Sequence, residues 1–270
     1  MQHLTEPEPL RGAATEVGPG IRRIVAANPG PMTYHGTNTW LVEEPDGITV
    51  IDPGPDDPAH LDAVVAAGGG RITRILLSHS HADHLGNLAA LRRATGAPVW
   101  ALAPEAAPDV VPAEGDAIGG LTVLHTPGHA LDHLCFGRDD GVLFTGDHVM
   151  GWSTSMVPPP PYGDMAAYLA SLEGLLLRDD RRYLSGHGPA IETPHAYVAH
   201  LLARRLDRER AILSVLSRAP SASSEIVGRL YATLPPGLRR AAELNVLAHL
   251  WKLAGEDQVV ETGGIWSLAR

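Results

Sequence analysis

An α/β domain over residues 1–195, followed by a small winged-helix-like domain over 196–270, is what the sequence predicts. Three observations predict it. Short apolar runs of strand character alternate with capped helical stretches, which is the order of α/β proteins. Polar clusters fall just past the ends of those runs, where loops on a rigid scaffold build sites. At Thr193-Pro194 the texture changes to helix, helix, helix and hairpin.

Each element follows from local chemistry. "TNTWLVEEPDGITVIDPGP" holds two apolar runs with "PDG" turn residues between them, a hairpin signal ending at Asp52. "PAHLDAVVAAGG" reads as a short helix stopped by glycine, and "ITRILLS" as a buried strand. "LGNLAALRRATG" is a helix closed by Gly96, and "APVWA" the next strand. "LTVLHTPGHALDHLCFGRDDGVLFTGDHV" contains three short strands, with "RDDG" as a hairpin turn. The four consecutive prolines of "STSMVPPPPYG" exclude a helix or a central strand there. Residues 164–177 form an amphipathic helix, and "RYLSGHGP" is a strand feeding a loop. Thr193 is a good N-cap and Pro194 a good first residue for a long helix to about Arg218. Leu201, Leu206, Ile212, Leu213 and Leu216 recur on it at helical spacing and read as core. "SASSEIVGRLY" and "GLRRAAELNVLAHLWKLAG" are two further helices, and "QVVETGGIWSL" is a hairpin turning at Gly263-Gly264.

The composition, 44% apolar and 19% charged over 270 residues, supports a sizeable core and two domains. A net charge of -10 argues against a chain-wide nucleic-acid footprint. The charge is uneven. Residues 201–270 carry ten Lys or Arg against seven Asp or Glu, whereas 1–200 carry 11 against 24. Arg204, Arg205, Arg208 and Arg210 fall on the long helix. They read as a solvated face paired with Asp207 and Glu209, with a phosphate-guiding stripe as the functional alternative. Cys135 is the single cysteine, so no internal disulfide forms, and a buried thiol suits its setting in "DHLCFG". "MQHLTEPEPLRG" has no apolar h-region and no stretch has the length of a membrane span, so a cytoplasmic protein without membrane association is expected.

"HSHADH" places His79, His81, Asp83 and His84 within six residues after an apolar strand. Four ionisable groups there are expensive to bury unpaired. Alternating side chains on a loop point to one side, so two imidazoles at i and i+2 can meet one ion. Imidazole and carboxylate suit Zn²⁺, Fe or Mn²⁺. His129 in "TPGH", Asp147 in "TGDH" and His187 in "SGHG" follow strands and sit beside glycines. Spacing alone establishes a metal site; a chance cluster of surface histidines is the alternative.

"HSHADH", "TPGHALDH", "TGDH" and "SGHG", in this order over roughly residues 20–190, resemble the metallo-β-lactamase fold superfamily. Within it, "NTWLV", "IDPGP", "LFTGDHVMG", "GDMAAYLASLEGL" and the tail resemble the β-lactamase-like protein 2 group. The resemblance implies an αββα sandwich with two divalent ions at one edge. Zn²⁺ is expected, with Fe or Mn²⁺ as alternatives. It assigns His79, His81 and His129 to one ion, Asp83, His84 and His187 to the other, and Asp147 as the bridge. Asp83 and Asp147 orient the attacking water, and Asp83 takes its proton. Asp52 is expected to accept from a ligating imidazole, with a turn-forming role as the alternative. His133 is assigned to supporting the site or touching substrate, or else to the surface. Asn38 positions a loop over the site, and Trp152 and Tyr162 stack on a base or line an acyl pocket. His148 and His35 are weaker candidates.

The implied reaction is hydrolysis, with single-stranded RNA cleavage as the first substrate reading. A thioester or ester hydrolase, similar to glyoxalase II or acyl-carrier thioesterases, is the second. A winged-helix binding protein with a vestigial metal site is the third. The partner is thus RNA or a small molecule, and the oligomeric state is open, a homodimer among the alternatives.

Overall fold

The computed structural model describes residues 3–269. Packing divides the chain into two compact units, and their boundaries do not follow one cut in the sequence. The first comprises Met1–Thr126, Asp132–Thr154 and Asp179–Pro194; the second comprises Pro127–Leu131, Ser155–Arg178 and His195–Arg270.

The first unit is built on two sheets. Strands β1 (Thr15–Gly18), β2 (Ile21–Val25), β3 (Asn38–Glu44), β4 (Gly47–Ile51), β5 (Ile72–Leu76) and β6 (Val99–Trp100) lie side by side in that order. The first four pair antiparallel; β4, β5 and β6 pair parallel. Parallel neighbours need a crossover. Helix α1 (Pro58–Gly68) supplies one, and α2 (Ala82–Leu85) with α3 (Leu88–Thr95) supplies the next. Asp57 caps α1 by accepting from Ala59 N, and Gly69 ends it in the left-handed region at φ 55. The second sheet runs β11 (Arg182–Ser185), β10 (Val142–Gly146), β9 (Leu134–Arg138), β8 (Leu121–His125), β7 (Ala117–Ile118).

Alternation along the strands makes two cores from one sheet. Leu41, Ile48, Val50 and Ile75 pack with Val64, Leu88 and Leu91 of the helices. Their neighbours Trp40, Val42, Ile51 and Leu76 pack against Val123, Phe136, Phe144 and Leu184 of the second sheet. A strand covered on both faces reads as a continuous apolar run, as β4 does. Truncating a residue of this interior, such as Phe136→Ala, removes about 3–5 kcal/mol.

The second unit contains α4 (Met165–Leu176), α5 (Pro194–Leu216), β12 (Ser221–Ala222), α6 (Ser223–Leu230), α7 (Arg239–Gly255), β13 (Val259–Thr262) and β14 (Ile265–Leu268). Its three-stranded sheet has the order β12, β14, β13. Ile212, Val215, Ile226, Val246, Leu250 and Trp266 form its core. No helix among the described residues is long and apolar enough to cross a membrane.

Three expectations are corrected. Leu206 is not core, being 39% exposed, because it turns away from Ile212 and Leu216. The helix expected over "LGNLAALRRATG" is interrupted after Leu85. Gly86 fits so closely against the backbone of Asp56 that a Cβ would lie 2.2 Å from its nitrogen. Strands β7 and β12, two residues each, were not expected.

Candidate metal centre

Four strands of the first unit end where the polar residues begin. Asp52 follows β4, Ser78 and His79 follow β5, Asp147 follows β10, and His187 follows β11. His81 precedes α2, which carries Asp83 and His84 in its single turn. The strand ends therefore converge residues that lie as far apart in sequence as Asp52 and His187.

Asp83, His84 and His187 offer one ligand atom each, all within 4.8 Å of one another, and His79, His81 and Asp147 do the same. His187 Nε2 lies 3.2 Å from Asp83 Oδ2 and 3.4 Å from Asp147 Oδ1. His84 Nε2 lies 3.6 Å from Asp83 Oδ2 and 3.5 Å from Asp147 Oδ1. Ligands about 2.0–2.2 Å from a tetrahedral ion stand roughly 3.3–3.6 Å apart, which these separations match. His84 Nε2 is buried with no hydrogen-bond partner among the described residues, the state of an atom built to face a cation. His79 Nε2 and His81 Nδ1 approach to 2.9 Å.

The electrostatics agree. Burial opposes charge on Asp147, yet His187 and His84 hold it well below the usual carboxylate range. Burial also opposes ionisation of Asp83, and again His84 and His187 outweigh it. Burial disfavours a protonated His187, but Asp147 and Asp83 push it up to about 9. His84 is likewise raised well above its ordinary value by Asp147 and Asp52, against the effect of its burial. The carboxylates thus make the pocket a place for positive charge.

Support comes from behind. Asp52 Oδ2 accepts from Ser78 Oγ at 2.7 Å and faces His84 Nδ1 at 2.9 Å, while Oδ1 accepts from Ser78 N at 2.7 Å. Ser78 Oγ in turn meets His79 Nδ1 at 2.9 Å. One carboxylate therefore orients an imidazole of each group, directly and through a hydroxyl. Thr37 Oγ1 donates to Asp83 Oδ2 at 3.1 Å, and Gly36 O faces His187 Nδ1 at 3.2 Å. Asn38 Nδ2 donates to Ser185 O and Gly188 O, at 2.9 and 3.0 Å, and so ties down the loop that bears His187. His133 is fully buried; its Nε2 accepts from Asp147 N at 3.1 Å and its Nδ1 meets Thr126 Oγ1 at 2.9 Å. The surface and substrate-contact readings of His133 are excluded by that burial. Ser78, Thr37 and Thr126 are site residues that the sequence reading missed; their hydroxyls carry no spacing signal.

His129 belongs to the second unit, with Nδ1 2.5 Å from Met156 O. Trp152 stacks on Tyr34, with centroids 5.2 Å apart, and covers Gly188 so closely that a Cβ there would lie 2.6 Å from its ring. Tyr162, in the second unit, is 76% exposed. His148 is buried, and His35 Nε2 faces Glu6 O at 3.2 Å. Cys135 is buried. The four arginines do not share one face. Arg205 is buried, Arg208 stacks 4.1 Å over the Tyr231 ring, and Arg210 pairs with Asp207. Glu209 pairs instead with His249 and Lys252, at 3.2 and 3.0 Å.

The sequence pattern described as "Metallo-beta-lactamase superfamily" matches residues 32–110 and 103–187, and that of the "Beta-lactamase associated winged helix domain" matches 222–266. A Beta-lactamase-like protein 2 homolog of Drosophila melanogaster is 31% identical, over 92% of this chain and 92% of that protein. An atrochrysone carboxyl ACP thioesterase of Aspergillus chevalieri is 31% identical, over 90% of this chain and 83% of that protein. The crystal structure of a beta-lactamase domain protein from Burkholderia ambifaria shares the fold. It has a TM-score of 0.83 at 22% identity, over 97% of this chain and 95% of that one.

Proposed function

The chain belongs to the metallo-β-lactamase superfamily and carries its associated winged helix domain, and from that premise we propose that this hydrolase cleaves thioesters with two divalent ions. The carrying observation is Asp147 Oδ1, which faces both His84 and His187 while its carboxylate also falls within ligand reach of His79 and His81. His79, His81 and His129 would hold one ion, Asp83, His84 and His187 the other, and Asp147 both. Zn²⁺, Fe and Mn²⁺ all suit these donors. When bound, the ions lower the pKa of a water toward neutrality and stabilise charge developing on the substrate oxygen.

The protein's own groups do the rest. Asp52 and Ser78 hold the imidazoles of His84 and His79 in one orientation. Thr37 donates to Asp83 Oδ2, the oxygen that faces His84 and His187, so Oδ1 is the atom left to accept a proton from the attacking water. The Asp83 side chain is 29% exposed, against 10% for Asp147, which suits it to that exchange. Tyr162 is a candidate for contact with the acyl chain, and Trp152 for holding the His187 loop.

A carbonyl substrate is favoured over RNA by charge. In the first unit Arg22, Arg23, Arg71, Arg74, Arg92, Arg138 and Arg182 each sit against a carboxylate. Cations so neutralised form a poor track for a phosphate backbone. The similarity to an ACP thioesterase supports the same choice. The winged helix match favours the second reading, cleavage of single-stranded RNA.

The test is metal-loaded protein against acyl-thioesters, aryl esters and single-stranded RNA, beside Asp147→Asn. Thioester turnover that falls roughly a thousandfold in the variant is expected. RNA cleavage with the same Asp147 dependence, and no thioester turnover, would transfer the assignment to RNA.

A further inference from the structure

We propose that Arg205 and Asn245, on α5 and α7, are positioning residues that aim His129. The proposal rests on the reading of His129 as a metal ligand. All the contacts that carry it lie within the second unit.

The chain of contacts begins at the imidazole. A carbonyl oxygen only accepts, so Met156 O fixes the proton of the neutral His129 ring on Nδ1 and leaves the lone pair on Nε2. The direction of Nε2 then depends on where the Met156 peptide is held. That peptide is clamped on both sides. Arg205 Nη2 donates to Ser155 O, and Val157 N donates to Asn245 Oδ1 at 3.1 Å. Arg205 Nη1 donates to the same Asn245 Oδ1 at 3.0 Å, and Asn245 Nδ2 donates to Ala241 O at 3.1 Å. One guanidinium and one carboxamide thus lock the residues on either side of Met156.

The backbone of His129 is fixed independently. Gly128 has φ 147 and lies flush on α4, where a Cβ would fall 2.4 Å from Tyr168 Cα. Gly128 O accepts from Asp164 N at 2.9 Å, and Pro127 O from Ser171 Oγ at 2.9 Å. With the loop held by α4, the Met156 carbonyl is what orients the ring.

Arg205 itself is anomalous. It is 8% exposed, lies 5.1 Å over the Tyr168 ring, and meets no carboxylate among the described residues. A buried cation held by neutral acceptors alone is expensive. A residue serving only to fill the space between helices has cheaper apolar substitutes. The fork of a guanidinium, which reaches Ser155 O and Asn245 Oδ1 together, has none.

The experiment measures Zn²⁺ binding to the full chain by competition with a chromophoric chelator, resolving the affinity of each ion, together with the thermal melt of the metal-free protein. Asn245→Leu removes the shared acceptor. Arg205→Lys keeps the charge but not the fork. Asn245→Asp keeps the acceptor. His129→Ala reports on the ligand itself. We expect Asn245→Leu, Arg205→Lys and His129→Ala each to weaken one ion by about 10–100-fold and leave the other nearly unchanged, with Asn245→Asp restoring the wild-type pattern. If Asn245→Leu does not fold, Arg205→Lys decides by the same measurement. Loss confined to His129→Ala would overturn the positioning role while sparing the ligand assignment. No effect in His129→Ala would overturn both. Equal weakening of both ions in step with a lowered melting temperature would reduce Arg205 and Asn245 to structural residues.

Discussion

Asp52 has φ 55, a left-handed backbone that a non-glycine residue adopts at a cost, immediately ahead of Pro53. That strain aims its carboxylate at Ser78 and His84 rather than at solvent. Asp52→Asn retains the volume but sets an amide N–H against donors. Affinity for both ions should fall about 10–100-fold, as isothermal titration would show. His60 makes a different prediction. Its Nε2 meets Thr39 Oγ1 at 2.8 Å, and that hydroxyl donates to Asp52 O at 2.6 Å. Burial lowers His60 to about 4, from an ordinary value of 6.5. Above pH 6.5 the ring is neutral folded or unfolded, so it has no linkage effect there. As pH falls from 6.5 toward 4, the unfolded chain takes the proton first and stability drops. The loss from this group between pH 7 and pH 5 is about 2 kcal/mol. Urea unfolding of His60→Gln at the two pH values should show a pH dependence smaller by that amount; an unchanged slope would place the titration elsewhere. The imidazoles of the centre were legible because "HSHADH" concentrates them. Ser78 and Thr37 were not, since a hydroxyl acts there only through neighbours distant in sequence. Arg205 looked solvated because polar residues on a helix usually are.

At the scale of elements, the β13–β14 hairpin turns through Gly263 and Gly264 at φ 59 and 85, the pair of positive values that a type I′ turn requires. A Cβ at Gly264 would meet nothing within 4 Å, so the cost of Gly264→Ala is conformational, about 1–2 kcal/mol. Trp266 on β14 is 2% exposed and meets Trp251 edge-on, with centroids 5.3 Å apart. Trp266→Ala should remove about 3–5 kcal/mol, seen in a chemical denaturation curve. Elements of this length and patterning were readable in advance: α1 by its proline and glycine ends, the hairpin by its two glycines, β4 by its apolar run. Strands β7 and β12 were not, because two residues carry no period. The break after Leu85 was also invisible, because His84 O accepts from Gly54 N and Asn87 N donates to Gly54 O, a partner distant in sequence.

Across the whole molecule, the net charge of -10 and the ion-paired arginines set how the protein meets a polyanion. Binding of single-stranded RNA should be weak and thioester turnover nearly flat between 50 and 200 mM salt. A phosphate-tracking enzyme would lose orders of magnitude in affinity over that range. The αββα architecture was legible from resemblance. The partition of the chain into its two units was not, since Pro127–Leu131 and Ser155–Arg178 join a unit otherwise made of His195–Arg270.

That re-entrant path governs the order of events on the ribosome. Domains emerge and consolidate from the N-terminus. Here Met165, Leu169 and Leu172, buried in the finished protein, are synthesised well before α7 and β14 exist to complete their unit. Nascent chains stalled near residue 200 should therefore expose apolar surface and recruit chaperones. Chains extended through Leu268 should not, because α7 and β14 then close a fold begun far upstream.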